Sequence, residues 1–143
     1  MTFVNVQPLP VKLYQYLEAN KLTIESGCYS NSFRATLLSK SDKFSTKFSY
    51  VAGEVTDEKG IVHEHGFLHA VNGNEDFYFD PTLDRHKSRK LFKYRVLAVF
   101  TIAQLEDLLA DQVGTANFQK MVDGKAEWCQ PRLRNGSLTF EYA

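Results

Sequence analysis

His63-Glu64-His65-Gly66-Phe67-Leu68-His69-Ala70-Val71, then Asn72-Gly73, then Asn74-Glu75-Asp76-Phe77-Tyr78-Phe79-Asp80-Pro81-Thr82, is the stretch that decides the fold. It reads as two strands on either side of a tight turn. A two-residue type I′ turn needs positive φ at both central positions, and Asn-Gly supplies it at little steric cost. With Asn72 and Gly73 as the turn, Val71 faces Asn74 and His65 lies directly opposite Asp80. Opposed side chains on one sheet face have Cβ atoms ~4.5–5.5 Å apart, within reach of an imidazole–carboxylate hydrogen bond. The same register sets His69 against Asp76 and His63 against Thr82.

Working outward, Thr46, Phe48, Tyr50 and Ala52 alternate with Lys47, Ser49 and Val51, the pattern of a half-buried strand ending at Gly53. Asp57-Glu58-Lys59-Gly60 is the loop into the strand that begins at Ile61. Beyond the charged loop Asp84–Lys90, residues 91–100 form the longest strand, with Phe92, Tyr94, Val96, Ala98 and Phe100 on one face. Ahead of the sheet, Pro8 and Pro10 set up a helix through Leu13, Tyr16 and Leu17 that stops at Asn20. A second helix starts near Ser26 or Gly27 and runs towards Leu38, followed by a turn at 39–42.

After the sheet, Thr101-Ile102-Ala103-Gln104 has capping-box form, and Ile102, Leu105, Leu109 and Val113 make an apolar stripe that ends at Gly114. A short helix (116–122) and a last strand (137–142) follow. Helices, then an antiparallel sheet, then helices define an α+β domain spanning residues 1–143.

With 43% apolar and 13% aromatic residues, the chain can bury a real core. Its 17 basic and 17 acidic side chains cancel, so no net field favours nucleic acid or anionic lipid. No apolar run reaches the ~18 residues of a membrane span, and Met1-Thr2-Phe3-Val4-Asn5 lacks the form of a secretory signal. Cys28 and Cys129, about a hundred positions apart, read as thiols in a reducing cytoplasm rather than as a disulfide framework.

Cys28 carries the chemical signal. It follows Ser26-Gly27 at the start of a helix, where unpaired N–H groups and partial positive charge favour an anion. A free thiol has a pKa near ~8.5, and a neighbouring imidazolium lowers it. In such a site Cys28 attacks an acyl carbon, His65 carries the proton to the leaving group, and Asp80 fixes the imidazole tautomer. The Cys28 N–H is placed to donate to the oxyanion. Glu127-Trp128-Cys129-Gln130-Pro131 reads as a packed or irregular segment with no chemistry of its own.

These residues resemble the transglutaminase-like branch of the papain-like cysteine enzymes. The matching pieces are Gly27-Cys28-Tyr29, Tyr50-Val51-Ala52-Gly53, His65-Gly66-Phe67 and Asp80-Pro81-Thr82, across residues 26–83. The chain also looks like short microbial and phage-type proteins with Cys-Tyr-x-Asn, Tyr-Val-x-Gly and His-small-aromatic motifs. The resemblance implies a helix packed on an antiparallel sheet, a Cys28–His65–Asp80 triad, and acyl transfer through a thioester by a peptidase, amidase or transglutaminase-like enzyme acting on a protein or peptide. Phe67 stands where that branch usually has tryptophan, and His69-Ala70-Val71 offers His69 as an alternative base.

Other readings compete. An isolated cysteine is commonly a small core residue. His63, His65 and His69 with Asp80 have the residue types of a zinc site, but positions 63 and 69 lie about 20 Å apart on an extended strand. No metal or cofactor is therefore expected. Arg85-His86-Lys87-Ser88-Arg89-Lys90 reads as a solvated turn rather than a nucleic-acid contact. The non-enzymatic alternative is an interaction module that keeps a thiol-enzyme fold.

Overall fold

Alternation of apolar side chains, set against caps and turns, divides residues 2–142, which the computed structural model describes, into short strands and four helices. In chain order they are β1 (Thr2–Val4), β2 (Val6–Gln7), α1 (Val11–Ala19), α2 (Cys28–Leu38), β3 (Phe48–Thr56), β4 (Val62–Asn72), β5 (Glu75–Phe79), β6 (Lys93–Phe100), α3 (Ile102–Val113), α4 (Thr115–Val122), β7 (Gln130–Arg134) and β8 (Ser137–Glu141). The class is α+β, as expected. Among the described residues no helix is long and apolar enough to cross a membrane.

Local chemistry accounts for the helices. Pro10 precedes α1 and Asn20 closes it. At α3, Thr101 Oγ1 accepts from the Gln104 N–H (3.2 Å) while Gln104 Oε1 accepts from the Thr101 N–H (2.9 Å). This reciprocal pair satisfies two donors that a bare helix start leaves open. Leu105 and Leu109 of its stripe are fully buried.

Six strands form one sheet in the order β1-β6-β3-β4-β5-β2, and β7-β8 is a separate hairpin. All neighbours are antiparallel except β2 and β5, so the sheet is mixed rather than purely antiparallel. The two edge strands, β1 and β2, are separated in the chain by Asn5 alone. One residue spans at most ~3.6 Å, so the two edges must meet and the sheet closes into a barrel. Val51, Val55, Phe67 and Tyr94 fill its interior, with Val4 and Val6 of the closing segment against them. On the outer face, Phe48, Tyr50 and Leu68 pack under α1–α4 and the hairpin.

Four expectations require correction. The β4–β5 turn is centred on Gly73-Asn74, because Asn72 pairs with Glu75. Only Gly73 has positive φ (64°), which is the type II′ arrangement with glycine at the first central position. Facing residues therefore move by two: His69 faces Tyr78 and Val71 faces Asp76. His65 is not directly opposite Asp80. A shift of one would have turned every side chain to the other face, whereas a shift of two keeps His65 and Asp80 on the same one.

Second, β3 does not stop at Gly53 but continues to Thr56. Third, the row from Phe92 to Phe100 does not share one face. Ala52 pairs with Ala98 but Gly53 with Val96, so Leu97 is an extra residue in β6. This bulge sends Phe100 to the helix side and leaves Tyr94 and Val96 facing the barrel interior. Gly53 is required there, since a Cβ would collide with the Arg95 carbonyl oxygen. Fourth, β7 occupies a segment read as packed or irregular, and β1 and β2 were not evident in the sequence.

Candidate active site

The site forms where the start of α2 meets the β4–β5 end of the barrel. Ser26 adopts a left-handed conformation (φ 69°), and the Gly27 N–H bonds the Ile24 carbonyl at 3.0 Å, turning the chain into α2. No side chain caps this helix. Its first-turn N–H groups stay open beside Cys28, which is half-buried.

Asn31, one turn along α2, is buried, and its Nδ2 donates both to the Ile24 carbonyl (2.8 Å) and to Thr82 Oγ1 (2.9 Å). One amide thus ties together the loop before Cys28, helix α2 and the Asp80-Pro81-Thr82 corner. Ser32 Oγ donates to the Gly66 carbonyl at 3.0 Å, fixing α2 against the residue after His65.

His65 is 5% exposed and Asp80 1%. The His65 Nε2–H donates to Asp80 Oδ2 at 2.7 Å, reached diagonally rather than straight across the ladder. The same oxygen accepts from the Tyr94 hydroxyl at 2.6 Å. Oδ1 accepts from the backbone N–H groups of Thr82 (3.0 Å) and Leu83 (3.3 Å). With four donors the buried carboxylate is fully paired, as a charge in this setting must be. Phe67 stacks beneath the imidazole at a centroid distance of 6.2 Å and 26° between planes. An aromatic ring thus supports the histidine.

Burial opposes charge on His65, but the Asp80 carboxylate, through its charge and its hydrogen bond, and Cys28, through the same two effects, outweigh it and raise the imidazole pKa to about 10. Nε2 is committed to Asp80, so Nδ1 is the ring nitrogen left to face the thiol. Tyr94 is held far above its ordinary range by burial and then by the Asp80 charge, and it remains an O–H donor. Tyr29, next to the thiol, is pushed up to about 12 by burial and by Cys28. Its hydroxyl donates to Glu64 Oε2 (3.2 Å), which also accepts from Arg132 of β7 (2.8 Å). An open cleft of about 360 Å³, lined by Ser26, Cys28, His63, His65, Thr82 and Phe92 among others, gives access to the thiol side of the imidazole.

The structure brings Cys28, His65 and Asp80 together and leaves His69 out. His69 lies four residues along β4, roughly 13 Å away at strand rise, and its Nε2 bonds Asp76 Oδ1 at 2.7 Å. His63 bonds Asp57 at 2.9 Å. Each histidine of the strand therefore has its own carboxylate. Among the described residues no three His, Cys, Asp or Glu side chains converge as metal ligands. Cys129 is fully buried, 4.0 Å from Met121 Sδ, and burial raises its thiol pKa. Arg85 of the basic loop is tied to Asp84 (3.4 Å) and lies over the Tyr14 ring.

Asn31 and Tyr94 hold the site and were missed in the sequence. Asn31 was visible only as the last residue of Cys28-Tyr29-Ser30-Asn31, a spacing that puts it one helical turn from the thiol. Tyr94 was hidden in a row of alternating apolar residues. Comparison of the chain with protein-family models, with curated proteins and with solved structures finds no match.

Proposed function

We propose that this chain is a cysteine-dependent acyl-transfer enzyme. Cys28 Sγ attacks an acyl carbon, the His65 Nδ1–H protonates the departing group, and Asp80 holds Nε2 so that the ring keeps that orientation. The resulting thioester is released by water or by an amine, whose proton returns to Nδ1. The observation that carries this reading is the buried imidazole, bound through Nε2 to a fully paired carboxylate, with Cys28 on its other side.

The order Cys, His, Asp, and the likeness of residues 26–83 to the transglutaminase-like enzymes, support the same assignment. A protein or peptide substrate fits a cleft open to the surface, and two free thiols fit a reducing cytoplasm.

The test is iodoacetamide labelling resolved by peptide mass spectrometry, with buried Cys129 as the internal reference. Cys28 is expected to react far faster than Cys129, and His65→Ala to slow it at neutral pH. Equal labelling of the two cysteines, or no effect of His65→Ala, would leave an interaction module with an unused thiol.

A further inference from the structure

Tyr50 poses a question that the triad does not answer. It is 1% exposed near the start of β3, yet its hydroxyl makes no hydrogen bond to any described residue. The ring is enclosed while the hydroxyl keeps contact with a small cavity, and an interior hydroxyl with no protein partner has a reason for being there.

Its position supplies one. The ring lies across Gly66, whose Cβ, if present, would sit 2.6 Å from the Tyr50 oxygen. The residue after His65 is therefore glycine so that this hydroxyl can reach past it. The Gly66 carbonyl is the one bonded by Ser32, which follows Cys28 on α2 by one turn, about 5.4 Å. The hydroxyl thus points along the sheet towards the start of α2. It opens on a cavity of about 50 Å³ whose walls include Tyr29, Gly53, His65 and Leu97, and which shares Glu64 and His65 with the separate cleft that Cys28 lines. The Cys28 N–H, at the uncapped end of the same helix, is a second donor without a partner among the described residues.

We propose that the Tyr50 hydroxyl and the Cys28 N–H form the oxyanion hole of this site, with the small cavity beside them receiving the carbonyl oxygen of the acyl group. The inference rests on the thiol chemistry proposed above. When the S–C bond forms, the carbonyl π pair moves onto oxygen, and the two donors stabilise that charge. As the pair returns, the C=O bond is restored and the leaving group departs with the proton from His65. Burial and the neighbouring Cys28 charge hold Tyr50 well above its ordinary pKa, so it stays a donor across the working range. The bulge at Leu97 helps shape the cavity, and Gly53 leaves room in its wall.

Two reactions of the same sulfur separate this role from a structural one. Acylation by p-nitrophenyl acetate passes through an oxyanion, whereas alkylation by iodoacetamide displaces iodide at carbon and does not. In Tyr50→Phe, acetylation of Cys28, followed by mass spectrometry, is expected to slow about 100- to 1,000-fold, the usual effect of removing one such donor. Alkylation should stay within about twofold of the native rate if, as proposed, Tyr50 acts only on the oxyanion. Unchanged acetylation overturns the proposal. Equal slowing of both reactions also overturns it, because Tyr50 would then be supporting the thiol. If native protein and Cys28→Ala release p-nitrophenol at the same rate, the thiol-enzyme reading fails and the oxyanion hole fails with it.

Discussion

Strand β4 carries two histidine–aspartate pairs that match in almost every local respect. His65 meets Asp80 and His69 meets Asp76, each through Nε2 and each at 2.7 Å, the second across the diagonal of the β4–β5 ladder and the first just beyond its end. Their surroundings differ. Asp80 is buried under four donors, whereas the Asp76 side chain is 64% exposed. His65 has Cys28 on its free side and His69 is remote from it. An imidazole–carboxylate contact therefore does not by itself mark a candidate site. Burial, which withholds competing water, and a third group on the opposite nitrogen distinguish one pair from the other.

The comparison can be broken most directly through activity. His65→Ala is expected to reduce Cys28 acylation about 10²- to 10⁴-fold, the usual contribution of a general acid–base group, while His69→Ala leaves it within about twofold. Similar losses in both variants would mean that the site extends to His69.

Stability should separate the carboxylates next. Asp80→Ala leaves His65 and the Tyr94 hydroxyl buried without their acceptor, a change that typically costs about 3–5 kcal/mol. Asp76→Ala removes an exposed partner and should cost about 0–1 kcal/mol. Urea unfolding of the two variants measures the difference, and equal costs would contradict the burial argument.

The smallest effect is a slope. The folded-state pKa of His65, about 10, lies above its ordinary value of 6.5. Its stabilisation is therefore complete below pH 6.5 and is lost as pH rises through about 10. Within that window one proton changes stability by at most ~1.4 kcal/mol per pH unit. His65→Gln should flatten the fall in unfolding free energy between pH 7 and 10. An unaltered slope would show that the imidazole is not charged in the folded protein.

Much of the fold was legible wherever the signal was local. The capping box of α3, the proline before α1 and the alternation in β3 each involve residues a few positions apart. The barrel was not legible, because a three-residue and a two-residue strand carry no periodicity and their partners lie far along the chain. Pro131 hid β7, and the bulge at Leu97 gave no sign in an unbroken alternation. The candidate site was legible through Cys28, His65 and Asp80, since cysteine at a helix start and the His65–Asp80 pair are distinctive. The groups that position them were not, because Asn31 and Tyr94 act through contacts 51 and 14 residues away. The turn was misassigned by one residue, yet the pair survived because the register moved by an even number.

The short segment that joins both edges of the sheet also constrains how the molecule is made. Thr2 pairs with Val96 and Val6 with Tyr78, so residues 2–7 are synthesised roughly 70 to 90 residues ahead of their partners. Contacts of such sequence separation form late. Until they do, β5 and β6 present unsatisfied backbone to any neighbouring polypeptide. A nascent chain is thus most vulnerable to self-association in the interval between finishing β6 and recovering its own beginning.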